Sequence, residues 1–175
     1  MNGPFSLAAV VNDAVARGDN VIIPTFAVER AQELVYHFGR LVRAARIPPL
    51  PIFLDSPMAV DVTHVYLKYH DYCDEALLKM VKDQHAPYLY ENLKYVRSSS
   101  DSKQINHVAA PTVIMSSSGM CNAGRIVHHL RNNLYKPETA VLIVGFQADG
   151  SLGRQLVDGN KLVSIFGEKV AVKAS

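Results

Sequence analysis

Apolar residues recur along this chain with two alternating periods, and the order of those periods predicts the fold. In residues 7–17, Leu7, Val10, Val11, Ala14 and Val15 trace one helical face, with Ser6 placed to cap the start and Gly18 to stop it. Residues 20–26 read as a buried strand that Pro24 brings to its end. Helical spacing returns over residues 28–46, where Ala31, Leu34, Val35, Phe38, Leu41 and Ala45 face inward until the prolines of residues 47–51 break the run. A second strand, residues 52–55, leads into Ser56 and Pro57, an N-cap followed by a proline at the first helical position, so a helix is expected through about residue 69. Ala76, Leu77, Leu78 and Val81 support another over residues 71–82. Residues 84–106 are tyrosine-rich and then serine-rich, and predict irregular chain with a short helix near residues 100–107.

The centre of the pattern is the stretch 111–130. Thr112, Val113, Ile114 and Met115 form a short β-prone run, and Ile126, Val127, Leu130 and Leu134 fall on one helical face. Between them lie Ser116, Ser117, Ser118, Gly119 and Gly124, small residues that let backbone N–H groups gather around an anion at a helix start. The same residues also fit a tight strand-to-helix turn that needs glycine for its angles and serine for its cap. Gly119, Gly124 and Arg125 approach the phosphate-loop spacing, but Ile126 stands where a hydroxyl would hold magnesium, which argues against a nucleotide triphosphatase. A fourth strand, residues 140–146, runs into a second glycine-serine loop containing Gly150 and Ser151, then a short helix stopped at Gly159. Residues 161–166 and 169–173, joined by Gly167 and Glu168, predict a terminal hairpin.

Strand and helix alternate throughout, which predicts an α/β fold: three layers, a mostly parallel central sheet with helices on both faces, and the hairpin at the end. Both glycine loops then fall at carboxyl ends of strands, where open sheets of this kind bind ligands. The 175 residues, 49% of them hydrophobic, suit a single domain with a sizeable core. No apolar run is long enough to span a bilayer and no secretory leader is visible, so a cytoplasmic location away from membranes is expected. Cys73 and Cys121 belong to no paired motif and are expected as free thiols.

Catalytic constellations are missing. There is no H-x-H, H-E-x-x-H, C-x-x-C or G-x-S-x-G pattern. His128 and His129 adjoin on one helix and cannot easily share a metal, and His64 and His70 gather no partners in sequence. Asp55 sits where a catalytic carboxylate could, yet with Ser56 and Pro57 it also reads as helix-start chemistry, the favoured reading. Arg30, Arg40, Arg43 and Arg46 line one helix and are expected to be solvated, the net charge of +2 being too small to announce a polyanion partner.

Four segments in order, VIIPTFAVERAQE (residues 21–33), PIFLDSPMA (51–59), MSSSGM with GRIVHHL (115–120 and 124–130) and GFQADGSLGR (145–154), resemble the β-CASP domain of RNA- and DNA-processing nucleases in the metallo-β-lactamase superfamily. The resemblance covers nearly the whole chain and implies a Rossmann-like fold. It further implies that residues 1–175 are one β-CASP domain, excised from a protein whose metallo-β-lactamase domain holds zinc, with no cofactor in this chain itself. By the same resemblance RNA enters between the two domains, and Ser116, Ser117, Ser118, Gly119, Gly124, Arg125 and His128 face that cleft, with Gly150 and Ser151 from the second loop. Arg30 is a further candidate contact, although Glu29 stands where the family commonly has glycine and puts an acid beside it. The expected partners are RNA, the lactamase domain of the same polypeptide and a second copy of the chain, for which Phe5, the hairpin and the 88–95 stretch offer apolar surface. A stand-alone nucleotide- or phosphate-binding protein and an interaction scaffold are the alternative readings.

Overall fold

The structure, a computed structural model, describes residues 3–69, 72 and 88–175. The expected helix over 71–82 lies outside the described residues, as do His70, Cys73 and the side chain of Phe5. Five strands, β1 (Asn20–Pro24), β2 (Ile52–Asp55), β3 (Leu93–Val96), β4 (Val113–Ser116) and β5 (Thr139–Val141), form one sheet in the order β3-β2-β4-β1-β5. All neighbours in it are parallel. β6 (Leu162–Ile165) and β7 (Glu168–Ala171) make the antiparallel hairpin.

Both faces of the sheet are covered, so its strands are apolar on both sides, as a parallel sheet requires. Val21, Ile23, Ile52, Leu54, Val113 and Met115 point to one face, where α1 (Gly3–Arg17), α2 (Arg30–Arg43) and α3 (Pro57–Lys68) bury Val11, Ala14, Phe38 and Val60 against them. Ile22 points the other way, into a cluster with Ile126, Leu130 and Leu134 of α5 (Arg125–Asn133) and its C-cap, Leu152 of α6 (Leu152–Val157), and Val163 and Ile165 of the hairpin. Phe53 and Ile114 share that second face with Val96 and Ile105, the latter on the 3-10 turn after α4 (Ser99–Gln104). The expected three-layer α/β architecture with its terminal hairpin is what the chain forms.

The differences from expectation are local and have local causes. α1 begins at Gly3, so Ser6 lies inside the helix and not before its start. α2 is shorter at both ends than the apolar period suggests: Glu29 has φ 69 before it, Ala45 has φ 49 beyond it, and Ala45 is exposed rather than inward. β3 falls in the stretch expected to be irregular, because an edge strand with exposed Lys94 between half-buried Leu93 and Tyr95 lacks a dense apolar run. β5 ends at Val141 instead of continuing to residue 146. Leu142 N still donates to Ile22 O, but the next rung would need an N–H from Pro24, which has none. The hairpin turns at Phe166 and Gly167, both at positive φ (52 and 80), since Ile165 pairs with Glu168; this is the two-residue turn whose twist suits a hairpin.

Candidate functional site

Strand order places the site. From β2 the chain leaves towards β3 on one face, and from β4 it leaves towards β5 on the other, so the connections diverge between these two neighbours and open a crevice at their carboxyl ends. The register aligns Val96, Asp55, Ser116 and Pro24 in one row along that rim. Successive members stand about 4.8 Å apart.

Asp55 is wholly buried in this crevice and is not a cap; that role belongs to Ser56, whose Oγ accepts from Ala59 N. One Asp55 oxygen takes a hydrogen bond from Arg125 Nη1 at 2.6 Å, and the other meets His129 Nε2 at 2.6 Å and the Ser102 hydroxyl at 2.6 Å. Arg125 is further held by the Val96 and Arg97 carbonyls, at 3.3 and 2.6 Å. His129 Nδ1 is buried with no partner among the described residues. That geometry assigns the Nε2–H tautomer to His129, since a proton on Nδ1 would be a buried donor without an acceptor. Burial by itself pushes the Asp55 carboxyl up, but the hydrogen bonds from His129, Ser102 and Arg125 outweigh it and hold the group below its ordinary range.

The two glycine-serine loops meet on this rim. Gln147 Nε2 donates to Gly119 O at 2.9 Å and to Gly145 O at 3.2 Å, Gly153 N donates to Met120 O, and Leu152 N donates to Asn122 Oδ1. Gly153 is required for this seam, because a Cβ there would lie 1.7 Å from Gln147 Oε1. Gly153→Ala is expected to expel the Gln147 amide, part the loops and lower the unfolding free energy by about 1–3 kcal/mol, the usual cost of overpacking. A urea titration monitored by circular dichroism that overlays the wild-type curve would refute this.

The serines mostly serve the protein itself. Ser116 is buried and donates to Asp55 O at 2.7 Å, and Ser117 donates to Ser56 Oγ at 3.0 Å. Ser118 Oγ donates to Ala123 O, and buried Ser151 caps α6 by accepting from Arg154 N. Several loop N–H groups are also spent inside: Ser118 N on Ala123 O, Cys121 N on Ser118 O and Ile126 N on Ser117 O. Gly119 is buried, whereas Gly124 and Gly150, both at φ 81, are exposed. His128 lies on the exposed side of α5 with its ring 4.7 Å from that of Phe166, away from the Asp55 network that its neighbour joins. Arg30 is ion-paired with Glu33 on the first turn of α2, and Arg40, Arg43 and Arg46 are exposed as expected. Cys121 is a free, buried thiol whose pKa burial pushes up to about 12.

Residues 31–156 match the family described as the Beta-Casp domain. The chain belongs to this family. Ribonuclease TTHA0252 of Thermus thermophilus is 37% identical to it over 166 residues, which are 95% of this chain and 38% of that protein. Transcription termination factor FttA of Methanosarcina mazei is 32% identical over 93% of this chain and 25% of its own length. The RNase J-like protein of Methanocaldococcus jannaschii is 28% identical over 93% of this chain and 37% of its own length. This Beta-Casp chain thus spans between a quarter and two-fifths of the curated relatives it matches. His129 and Ser102 are the site residues that sequence reasoning passed over. The two adjacent histidines gave no sign of which would turn inward, although helical spacing aligns His129 with Ile126 and Leu130 rather than with solvent.

No three His, Cys, Asp or Glu side chains among the described residues converge on a point that could hold a metal ion. The described residues therefore offer no metal site, and no chemistry here is routed through a metal ion. No helix among the described residues is long and apolar enough to cross a membrane.

Proposed function

We propose that this chain is the substrate-holding part of a zinc-dependent ribonuclease, in which a metallo-β-lactamase domain of the same polypeptide cleaves the phosphodiester and the rim built around Asp55 and the two glycine loops guides the RNA. The observation that carries this reading is the 37% identity, across 95% of the chain, to a protein named as a ribonuclease. Ser117, Ser118, Gly124, Arg125 and Gly150 are the candidate contacts with exposed or half-exposed surface, and Ser116 and Ser151 act behind them by fixing the loops.

The electrostatics suit weak, non-specific gripping. Arg125 is balanced by Asp55, Arg97 by Asp61 at 2.6 Å, and Arg154 by Asp158 at 2.9 Å, so the guanidinium groups near this rim each have a carboxylate of their own. Phosphate contacts of this kind position a strand without reading its sequence. The 175-residue chain is expected to bind a labelled single-stranded RNA weakly, with log affinity falling against log salt by about 0.7 for each phosphate neutralised, and to leave the RNA uncut. Fluorescence anisotropy at several salt concentrations, followed by gel analysis of the same RNA, tests both parts. Salt-independent binding, or RNA cleavage that persists in the presence of a chelator, would overturn the reading.

A further inference from the structure

One aromatic side chain on the rim is built in a way that the positioning of phosphates does not explain. Phe26 follows the end of β1 and is 40% exposed, while Phe38 in the adjoining α2 is fully buried. Its backbone is pinned on both sides. The buried Thr25 donates its N–H to Ser116 O at 2.9 Å, and Phe26 O accepts from Ala31 N at 3.2 Å. Its ring is seated on two bare glycines, one from each loop. A Cβ at Gly119 would stand 2.8 Å from ring atoms Cδ2 and Cε2, and one at Gly145 would stand 3.5 Å from Cε2. The carbonyls of these same two glycines are the ones that Gln147 ties together. Phe146, 75% exposed, follows directly on Gly145.

We propose that the Phe26 ring, held by Gly119 and Gly145, is a stacking platform for one base of single-stranded RNA passing over the rim. This rests on the proposed RNA-guiding function and goes beyond it by assigning a base contact to a named residue. Three observations favour a base as the occupant. Phe26 follows the end of β1, which neighbours β4, so its ring adjoins the Ser116 loop at Gly119, and Pro24, two residues before it, is two strand spacings from Asp55 in the row along the rim. The arginines of this rim are already paired with carboxylates, so charge alone supplies little affinity. A rigid ring with a free surface supplies what charge does not, since stacking is tolerant of sequence and every base has a π-face. Fixing the ring beforehand also removes the entropy cost of ordering it on binding.

The test uses the 175-residue chain, two strands of equal length, one a single-stranded RNA carrying 2-aminopurine and one an abasic ribose-phosphate strand, and the variants Phe26→Leu and Phe26→Tyr. The wild type is expected to quench 2-aminopurine fluorescence on binding. Phe26→Leu, which keeps apolar bulk over the glycines, should weaken binding of the base-carrying strand about ten-fold and leave the abasic strand unchanged. Phe26→Tyr should retain wild-type affinity. Equal affinity of Phe26→Leu and wild type for the base-carrying strand would overturn the proposal while leaving RNA binding intact; that is the result expected if another protein surface covers this ring. Equal loss on both strands would overturn it too, because the defect would then be structural. Should Phe26→Leu fail to fold, the wild-type signal decides: binding without quenching refutes the platform. Failure of the wild type to bind either strand would remove the RNA-guiding function itself, and the platform with it.

Discussion

Asp55→Ala is expected to lower the unfolding free energy by about 3–5 kcal/mol, the cost of breaking a buried ion pair by deleting one partner. The carboxylate is completely buried and serves three donors from two separate helices: Arg125 and His129 on α5, and Ser102 on α4. Without it the Arg125 guanidinium keeps only carbonyl partners, and His129 Nε2–H is left as a buried donor. The loss should be larger than for removal of Ser102, which withdraws a single neutral hydrogen bond worth about 1 kcal/mol. Acidity supplies an independent check. Because the folded state holds the Asp55 carboxyl below its ordinary value, its contribution is fully present above the unfolded pKa of about 4 and is lost as pH falls through the folded pKa. Urea denaturation from neutral pH into acid should therefore show wild type and Asp55→Ala converging as pH drops below about 4. A constant gap across that range would mean that ionisation of Asp55 is not what stabilises the rim.

Gly124→Ala is the second large effect, expected at about 2–5 kcal/mol from left-handed backbone strain and steric overlap combined. Gly124 has φ 81, and a Cβ there would meet Ser117 O at 2.4 Å, a main-chain atom that cannot swing aside. That carbonyl also accepts from Ile126 N at the start of α5, so displacing it moves the helix turn that carries Arg125. Gly150→Ala provides the control. Its φ is also 81, but nothing lies within 4 Å of the added carbon, so only the backbone cost of about 1 kcal/mol remains. Thermal unfolding of the two variants side by side separates strain from contact, and equal shifts in Tm would show that the Ser117 carbonyl imposes no barrier.

Much of this molecule is written locally. The apolar periods of β1, β2 and β4 and of α2 and α5 are readable because each strand is buried on both faces and each helix on one, so neighbours in sequence share an environment. Ser56 as a cap and the turn-forming glycines at 124 and 150 are legible for the same reason: their chemistry is settled within four residues. β3 was illegible because an edge strand with Lys94 at its middle carries no such pattern, and β5 was overestimated because its end is set by the missing N–H of Pro24, a residue over a hundred positions away.

By itself the sequence determined the α/β class, the family, and the two small-residue loops at strand ends, since each is a matter of periodicity or of residues adjacent in the chain. Only the tertiary structure decided that Asp55 would meet His129, 74 positions away, and that Gln147 would knit one loop to the other. It also decided that Phe26 would come to rest on glycines from both loops. The physical reason is that such meetings follow from strand order and register, which place Asp55 beside Ser116 and Ser116 beside Pro24. Burying apolar surface on both sides of the sheet drives that order, and no local run of residues encodes which polar groups will be brought together at its rim.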